Sequence, residues 1–423
     1  MKLLWLCNIP SSDISQDLNM DTPYVGGWIA SLYHQIIKSD AIDITYVFPL
    51  GINQEAKGHA LVDYYGFSLL KGKQTKYDPA LEEKFFLYIK ETKPNVIHIF
   101  GTELPHTLAM VNAAKRANLS DHLIISIQGL VSVCAQHYTQ GLSRKVVNAW
   151  TFRDFLRMDN IHHQQKAFEK RGKFEIEAIK SIKHVIGRTT WDNACVHQIN
   201  PKIQYHYINE SLRDGFYTHN WSLKSCKRHS IFLSSAEYPI KGAHYMINAL
   251  PKIIERFADA HVYISGVTLK NTSFKSRLRI TAYHQYILRL IKANKLSAHV
   301  TFLGPLDESA MIEAYLKAHV FVCPSVIENS PNSLGEAMLL GVPSVSANVG
   351  GVSDLMAHGK EGFLYHSTAD YMLAHYINQI FANDDLANKL SQKAHEHAIK
   401  THNQKENTNE TLEFYKKVAK TVK

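Results

Sequence analysis

The strongest constraint on this chain is a rhythm of short, mostly apolar runs separated by longer amphipathic segments, and the rhythm starts twice. In the first half the runs are LLWLC (3–7), ITYVF (44–48), NVIHIF (95–100), LIISI (123–127), HVIG (184–187) and QYHYI (204–208). A polar stretch without periodicity, NESLRDGFYTHNWSLKSCKRH (209–229), follows. Then come SIFLSS (230–235), HVYISG (261–266), HVTFLG (299–304), HVFVCPS (319–325), VPSVSA (342–347) and GFLYH (362–366). A strand covered by helices on both faces of its sheet must be apolar on both of its own faces, so such runs mark parallel strands joined by crossover helices. The expected fold class is α/β, with two doubly wound domains at 1–208 and 230–400 joined by a linker at 209–229. The final segment, 401–423, is polar, helix-compatible and strandless, and is expected to return to the first domain. In such sheets ligands bind at the carboxyl ends of strands, against the amino ends of the helices that follow. With two facing halves, the cleft between them is the expected site.

Composition narrows the setting. Hydrophobic residues at 45% and charged ones at 20% are ordinary for a globular protein. The five cysteines Cys7, Cys134, Cys195, Cys226 and Cys323 form no C-x-x-C pair, which fits a reducing cytoplasm. The opening MKLLWLCNIP reads as a first buried strand rather than a signal peptide, and no run approaches the roughly 18 apolar residues of a membrane span. The net charge of +9 is unevenly spread. Between Asp259 and Asp307 no acid occurs, while Lys270, Lys275, Arg277, Arg279, Arg289, Lys292 and Lys295 do. A second basic stretch holds Arg144, Lys145, Arg153, Arg157, Lys166, Lys170, Arg171 and Lys173, with Trp150, Phe152 and Phe155 among them. Basic residues mixed with aromatics suit an anionic membrane surface or a polyanionic ligand; a solvated basic face accounts for the charge alone. No nucleic-acid partner is expected.

The strand-to-helix junctions carry the chemistry. Gly26 and Gly27 precede a helix in MDTPYVGGWIASLYHQI, where missing side chains serve either a tight turn or the approach of an anion to backbone N–H groups. NVIHIF runs into GTELPH, placing Gly101, Thr102 and Glu103 at a strand end. LIISI runs into QGLVSVCAQHYTQG, with Gln128 at the tip and His137 in an expected loop, one candidate base among 24 histidines. In SSAEYPIKGAHYM, Lys241 directly precedes a helix, where its charge would suit a phosphate; a surface lysine fits the pattern equally. The stretch FVCPSVIENSPNSLGEAMLLG (321–341) adds Glu328 and Glu336. Ser333 and Glu336 match the S-x-x-E capping box, worth about 1 kcal/mol, which explains Glu336 structurally and leaves Glu328 without a structural role. Gly350 and Gly351 then sit in VSANVGGVSDLM. Donor-rich turns together with carboxylates indicate a ligand carrying phosphates and hydroxyls.

These residues carry a resemblance. PIKG (239–242), FLG (302–304), CPSVIENSPNSLGEAMLLGVPSVSANVGG (323–351) and EGFLY (361–365) resemble the donor domain of the family 4 retaining glycosyltransferases, whose GT-B fold has two facing Rossmann-like domains. The E-x7-E pair of Glu328 and Glu336 is the most specific element. The first half resembles the family more weakly, through the Gly26–Gly27 loop, IHIFGTE (97–103) and SIQG (126–129), and the wording is closest to transferases of bacterial surface polysaccharides.

The resemblance implies that Glu336 holds the ribose and that Glu328 contacts the transferred sugar. Lys241 and the backbone around Asn332, Ser333 and Leu334 would neutralise the diphosphate, Asn329 and Ser330 would belong to the donor site, and Gly26 and Gly27 would cover it. Glu103, Gln128, His137 and Arg188 are the acceptor-side candidates. The implied reaction moves a hexose or hexosamine from a nucleotide-sugar, by preference a UDP-sugar, to a glycan or lipid-linked acceptor. It implies a peripheral enzyme at the inner face of the cell membrane. Neither cofactor nor metal is expected: the chain has no D-x-D motif. Epimerase, phosphorylase and inactive glycan-binding roles on the same fold are the alternatives. Two departures stand out. The family's arginine five or six residues before the lysine is replaced here by Ser235 and Ala236, with Arg188 as a candidate stand-in. Gln128 occupies a position that is often histidine.

Overall fold

A computed structural model of the chain describes residues 1–21, 27–39, 41–69, 74–269 and 278–420. Gly26, Lys270, Lys275 and Arg277 lie outside the described residues. By its internal contacts the chain divides into two units, one of Met1–Ala135, Ala167–Arg213 and His402–Lys423, the other of Gln136–Lys166 and Asp214–Thr401.

The first unit is built on eight strands: β1 (Lys2–Leu6), β2 (Asp43–Leu50), β3 (Ala56–His59), β4 (Asp63–Ser68), β5 (Val96–Phe100), β6 (Leu123–Ser126), β7 (His184–Gly187) and β8 (Gln204–Tyr207). They lie in the order β3-β4-β2-β1-β5-β6-β7-β8, parallel except for the β3–β4 hairpin pair. Both faces of β1 are buried. Leu4 and Leu6 join one apolar layer with Val47, Phe85 and Ile97, while Leu3, Trp5 and Cys7 join the other with Tyr33, Tyr46 and Phe48. This is the double burial that the apolar runs required.

All six runs of the first half are strands, but β3 and β4 were not anticipated. Gly66 interrupts the DYYGFS pattern, and its missing side chain makes room for Leu50, whose Cδ1 would stand 2.4 Å from an added Cβ. The edge strand AKGH alternates intermediate and exposed positions and so carries no apolar signal.

The polar C-terminal segment forms the helix Gln404–Ala419, which belongs to the first unit. Its buried positions are Asn407, Thr408, Thr411, Phe414, Tyr415 and Val418, a regular helical stripe in which half the residues are polar. Tyr415 reaches His98 of β5, its hydroxyl 2.5 Å from Nδ1, while Nε2 lies 2.7 Å from Ser126 Oγ. Burial drives the His98 imidazole down to about 3, so the ring is neutral, with one nitrogen donating and the other accepting.

The second unit contains β9 (Ser230–Leu233), β10 (His261–Ser265), β11 (Val300–Gly304), β12 (Val320–Cys323), β13 (Ser344–Ala347) and β14 (Phe363–Tyr365), the six runs of the second half. All are parallel, in the order β11-β10-β9-β12-β13-β14. The stretch 209–229 contributes two buried aromatics to this unit. Phe216 is fully buried, and Trp221 donates from Nε1 to the Ala318 carbonyl (2.7 Å) and from its backbone N–H to Leu340 (2.8 Å). Residues 136–166, drawn from the first half of the sequence, group with this unit as well.

Candidate functional site

The order of the second sheet reverses between β9 and β12, which makes the carboxyl ends of those two strands its switch point. After β9 the chain forms a 3-10 turn, Pro239–Lys241, and then Gly242 at φ +67°. A Cβ on Gly242 would lie 1.9 Å from the carbonyl oxygen of Pro324, just beyond β12, so only glycine permits this approach. The Val326 N–H donates to the Ile240 carbonyl (2.9 Å) across the same seam. The two loops are therefore joined backbone to backbone, and the joint places Lys241 Nζ 2.7 Å from Glu328 Oε1. The side chains keep 29% and 14% of their surface. Burial works against the Lys241 charge, but the attraction of Glu328 outweighs it and holds the ammonium above the ordinary lysine range.

The glycine pair after β13 closes on the same residue. Gly350 has φ +53°, and a Cβ there would stand 1.9 Å from the Glu328 carbonyl oxygen, which accepts a 3.1 Å bond from the Gly351 N–H. The pair thus has a structural role of its own, the clamping of Glu328. Three loops meet at this residue, the glycine pair at its backbone carbonyl and Lys241 at its carboxylate.

Glu336 departs from expectation in the opposite sense. The helix begins at Asn332 with Pro331 as its N-cap residue and no side-chain cap bond, so Ser333 is already inside the helix and the capping box does not form. Pro331, two residues before Ser333, takes the N-cap position instead. Glu336 is buried within the second turn, 3.5 Å from the Tyr315 hydroxyl, which donates to the Ser333 carbonyl at 2.8 Å. Helix capping therefore explains neither acid: Glu328 is paired with Lys241, and Glu336 lies beside Tyr315. Asn329 and Leu334 are buried beside them, while Ser330, Asn332 and Ser333 are half-buried. The N-cap residue Pro331 gives this helix no side-chain cap, nor does Gly242 for the helix Ala243–Ile254 directly after Lys241, where the Tyr283 hydroxyl instead meets the Ala243 and His244 N–H groups.

In the first unit the corresponding reversal lies between β1 and β5. Gly101, at φ +95°, lets the Glu103 carboxylate fold back over the backbone: Oε2 would be 2.2 Å from an added Cβ. Asn8 Nδ2 donates to that oxygen at 3.4 Å. Burial, aided by the negative charge of Glu175, pushes the Glu103 carboxyl up to about 7. Glu175 itself was missed. Its carboxylate accepts from Thr102 Oγ1 (2.6 Å) and from the backbone N–H groups of Val131 (3.0 Å) and Ser132 (2.9 Å), joining the strand ends of β5 and β6. A glutamate in the middle of a charged helix gives no sequence signal for such a role.

Arg188, the candidate stand-in for the missing arginine, has partners of its own. Its guanidinium is bound within the first unit, from Nη1 to Glu210 (2.8 Å) and the Ile127 carbonyl (3.0 Å) and from Nη2 to Gln128 (3.2 Å). Gln128 also donates to Glu210. His137 is the last residue of the helix Val131–His137 rather than a loop residue, with Nδ1 3.3 Å from Gln140 Oε1. Gly27 opens the helix Gly27–Ile36.

Comparison with known proteins agrees with this layout. The profile of the family described as Glycosyl transferases group 1 matches residues 219–397, the stretch that holds Lys241, Glu328 and Glu336. D-inositol 3-phosphate glycosyltransferase of Corynebacterium urealyticum is 26% identical over 161 residues, 38% of this chain and 37% of the relative. The chain thus spans little more than a third of that relative's length. Among solved structures, sucrose-phosphate synthase from Thermosynechococcus elongatus superposes with a TM-score of 0.74 at 15% identity, covering 99% of each chain. HepE of Anabaena, solved in complex with UDP and glucose, gives 0.68 at 15% identity over 99% of this chain and 100% of its own. The fold is GT-B, two Rossmann-type α/β units, and the stretch similar to group 1 glycosyl transferases lies in the second.

Proposed function

We propose that the protein is a glycosyltransferase that moves a hexose or hexosamine from a UDP-sugar to a hydroxyl of a glycan or lipid-linked acceptor, with retention at the anomeric carbon and without a metal. The observation that carries the reading is the Lys241–Glu328 pair, held at 2.7 Å at the switch point of the second sheet, with the amino end of the helix Asn332–Leu340 following a few residues after Glu328. When the bond from the anomeric carbon to the diphosphate breaks, the electron pair stays on the phosphate oxygen. Fixed positive charge aimed there lowers the barrier. Lys241 and the N–H groups at Asn332 to Leu334 supply it, which removes the need for a cation. As Lys241 turns to the phosphate, it releases Glu328 to accept from the sugar's hydroxyls, while Glu336 accepts from the ribose. In a retaining transfer the acceptor attacks on the leaving-group side, so its proton passes to the departing phosphate. The ligands bound to HepE, UDP and glucose, support the donor class. Glu103 is the acceptor-side residue of this reading, and the cytoplasmic face of a membrane making surface polysaccharide is its setting.

The test is release of nucleoside diphosphate from a panel of sugar donors with a cell-envelope acceptor fraction, in the presence of EDTA. Turnover is expected, with the anomeric configuration kept when the product is examined by NMR. Glu328→Gln should lower kcat about 100-fold or more. Glu336→Gln should chiefly raise the donor KM, by about 10-fold, the worth of a hydrogen bond to a charged group. Absence of release from every donor would overturn the reading, as would equal and negligible effects of the two substitutions.

A further inference from the structure

We propose that the segment Trp150–Met158 is a docking surface for an anionic lipid membrane. Thirteen large hydrophobic residues are exposed among the described residues, and five of them, Trp150, Phe152, Phe155, Leu156 and Met158, fall within these nine positions. Scattered exposed hydrophobics are normal, but a cluster on one small element is not. Phe152, Phe155 and Leu156 stand at i, i+3 and i+4 of the helix Phe152–Arg157, so they share one face, and they are 56%, 66% and 67% exposed. This helix is amphipathic with its polar side inward. Asp154 is fully buried and accepts the Ala282 N–H at the start of the helix Ala282–Ala293 (2.7 Å), while its other oxygen pairs with Arg153 at 2.9 Å. Thr151 caps the short helix by accepting from the Asp154 N–H, and the buried Asn160 fastens the exit through the Ala149 carbonyl (3.3 Å) and the His163 N–H (3.0 Å). The polar anchors therefore present the aromatic face to solvent; loose packing does not.

Charge selects the occupant. Within residues 136–166 there are five basic side chains, Arg144, Lys145, Arg153, Arg157 and Lys166, and two acids, Asp154 and Asp159. Both acids are taken up by Arg153. Arg144, Lys145, Arg157 and Lys166 are exposed on the same stretch of chain. An exposed apolar face on a segment with surplus exposed cations matches an interface whose surface is anionic and whose interior is hydrocarbon. No helix among the described residues is long and apolar enough to cross a membrane. The surface would therefore seat the chain on a leaflet. The inference stands apart from the transferase reading, because binding is measured with no sugar donor present.

The experiment is co-sedimentation of the full chain with vesicles of phosphatidylcholine alone or mixed with phosphatidylglycerol, at low and high salt. The protein is expected to partition onto the anionic vesicles and to release partly at high salt. The variant Phe152→Ser/Phe155→Ser/Leu156→Ser should keep the thermal midpoint, since it leaves the inner anchors intact, and should lose about 100-fold in partitioning. Arg144→Gln/Lys145→Gln/Arg157→Gln should lose the preference for anionic vesicles and the salt dependence. Failure of the unaltered protein to sediment with anionic vesicles at low salt would overturn the proposal, as would unchanged partitioning of the triple serine variant. A dimer in sedimentation velocity that the serine variant abolishes, without vesicle binding, would assign the face to a second copy and overturn it too.

Discussion

Replacing Gly350 by alanine perturbs Glu328 without altering any side chain proposed to touch substrate. The added Cβ would begin 1.9 Å from the Glu328 carbonyl oxygen, against a floor near 3.0 Å, so the two must part by at least 1.1 Å (3.0 − 1.9). The backbone strain of alanine at φ +53° adds about 1 kcal/mol. Gly359 supplies the control, because its φ of +74° imposes the same kind of strain while an added Cβ meets nothing within 4 Å. Any difference between Gly350→Ala and Gly359→Ala therefore reports the clash alone. The Gly351 N–H bond holds the Glu328 carbonyl on the other side. The displacement consequently falls on the residue 350 loop and on Glu328 together, and it breaks the alignment of the 2.7 Å contact with Lys241. A misplacement of about 1 Å in a positioned group costs on the order of 100-fold in rate. Steady-state release of nucleoside diphosphate and thermal midpoints would be measured for the parent and both variants. Gly350→Ala is expected to lose about 100-fold in kcat with little change in donor KM, and Gly359→Ala to lose less than about 3-fold. Should the two variants match in kcat and in midpoint, the clamp on Glu328 would be refuted.

Two further outcomes follow from the first unit. The Glu103 carboxyl stands at about 7 against an ordinary 4.5, so between those values the folded chain keeps a proton that the unfolded chain has released, and stability must fall as pH rises through that window. Glu103→Gln should remove this dependence, gaining about 3 kcal/mol on the parent between pH 4 and pH 8 in urea unfolding; parallel pH profiles would contradict the burial of the carboxyl. Tyr415→Ala should cost about 3–5 kcal/mol through the cavity it leaves, and Tyr415→Phe about 1 kcal/mol through the lost partner of His98. An alanine cost below that of phenylalanine, measured by the same urea unfolding, would show that the C-terminal helix is not part of the core.

Much of the site was legible because its signals are local. PIKG needs its glycine for one close approach, and the acids of ENSPNSLGE announce themselves by their spacing. The capping box was misread because an S-x-x-E pattern counts from the serine, whereas the helix counts from Pro331, two residues earlier. The roles of Glu175 and Glu210 were invisible, since each is defined by residues far away in sequence: Thr102 and Ser132 for the first, Arg188 and Gln128 for the second. The amphipathic C-terminal stripe was muted by Asn407, Thr408 and Thr411, which are buried yet polar.

The sequence by itself determined the α/β class, the twelve apolar strands and the junctions at which the acids and Lys241 would lie, because a doubly buried strand demands unbroken apolarity and a turn demands glycine at fixed places. Only the tertiary structure decided the edge hairpin of β3 and β4, the grouping of residues 136–166 with the second unit, and the engagement of Arg188 within the first. It alone turned two acids eight positions apart into a clamped carboxylate facing a lysine and a buried one beside a tyrosine. The physical reason is range. Periodicity and turn chemistry act over a few residues, whereas a charge finds its partner, and a carbonyl its glycine, only when loops from separate strands are brought together.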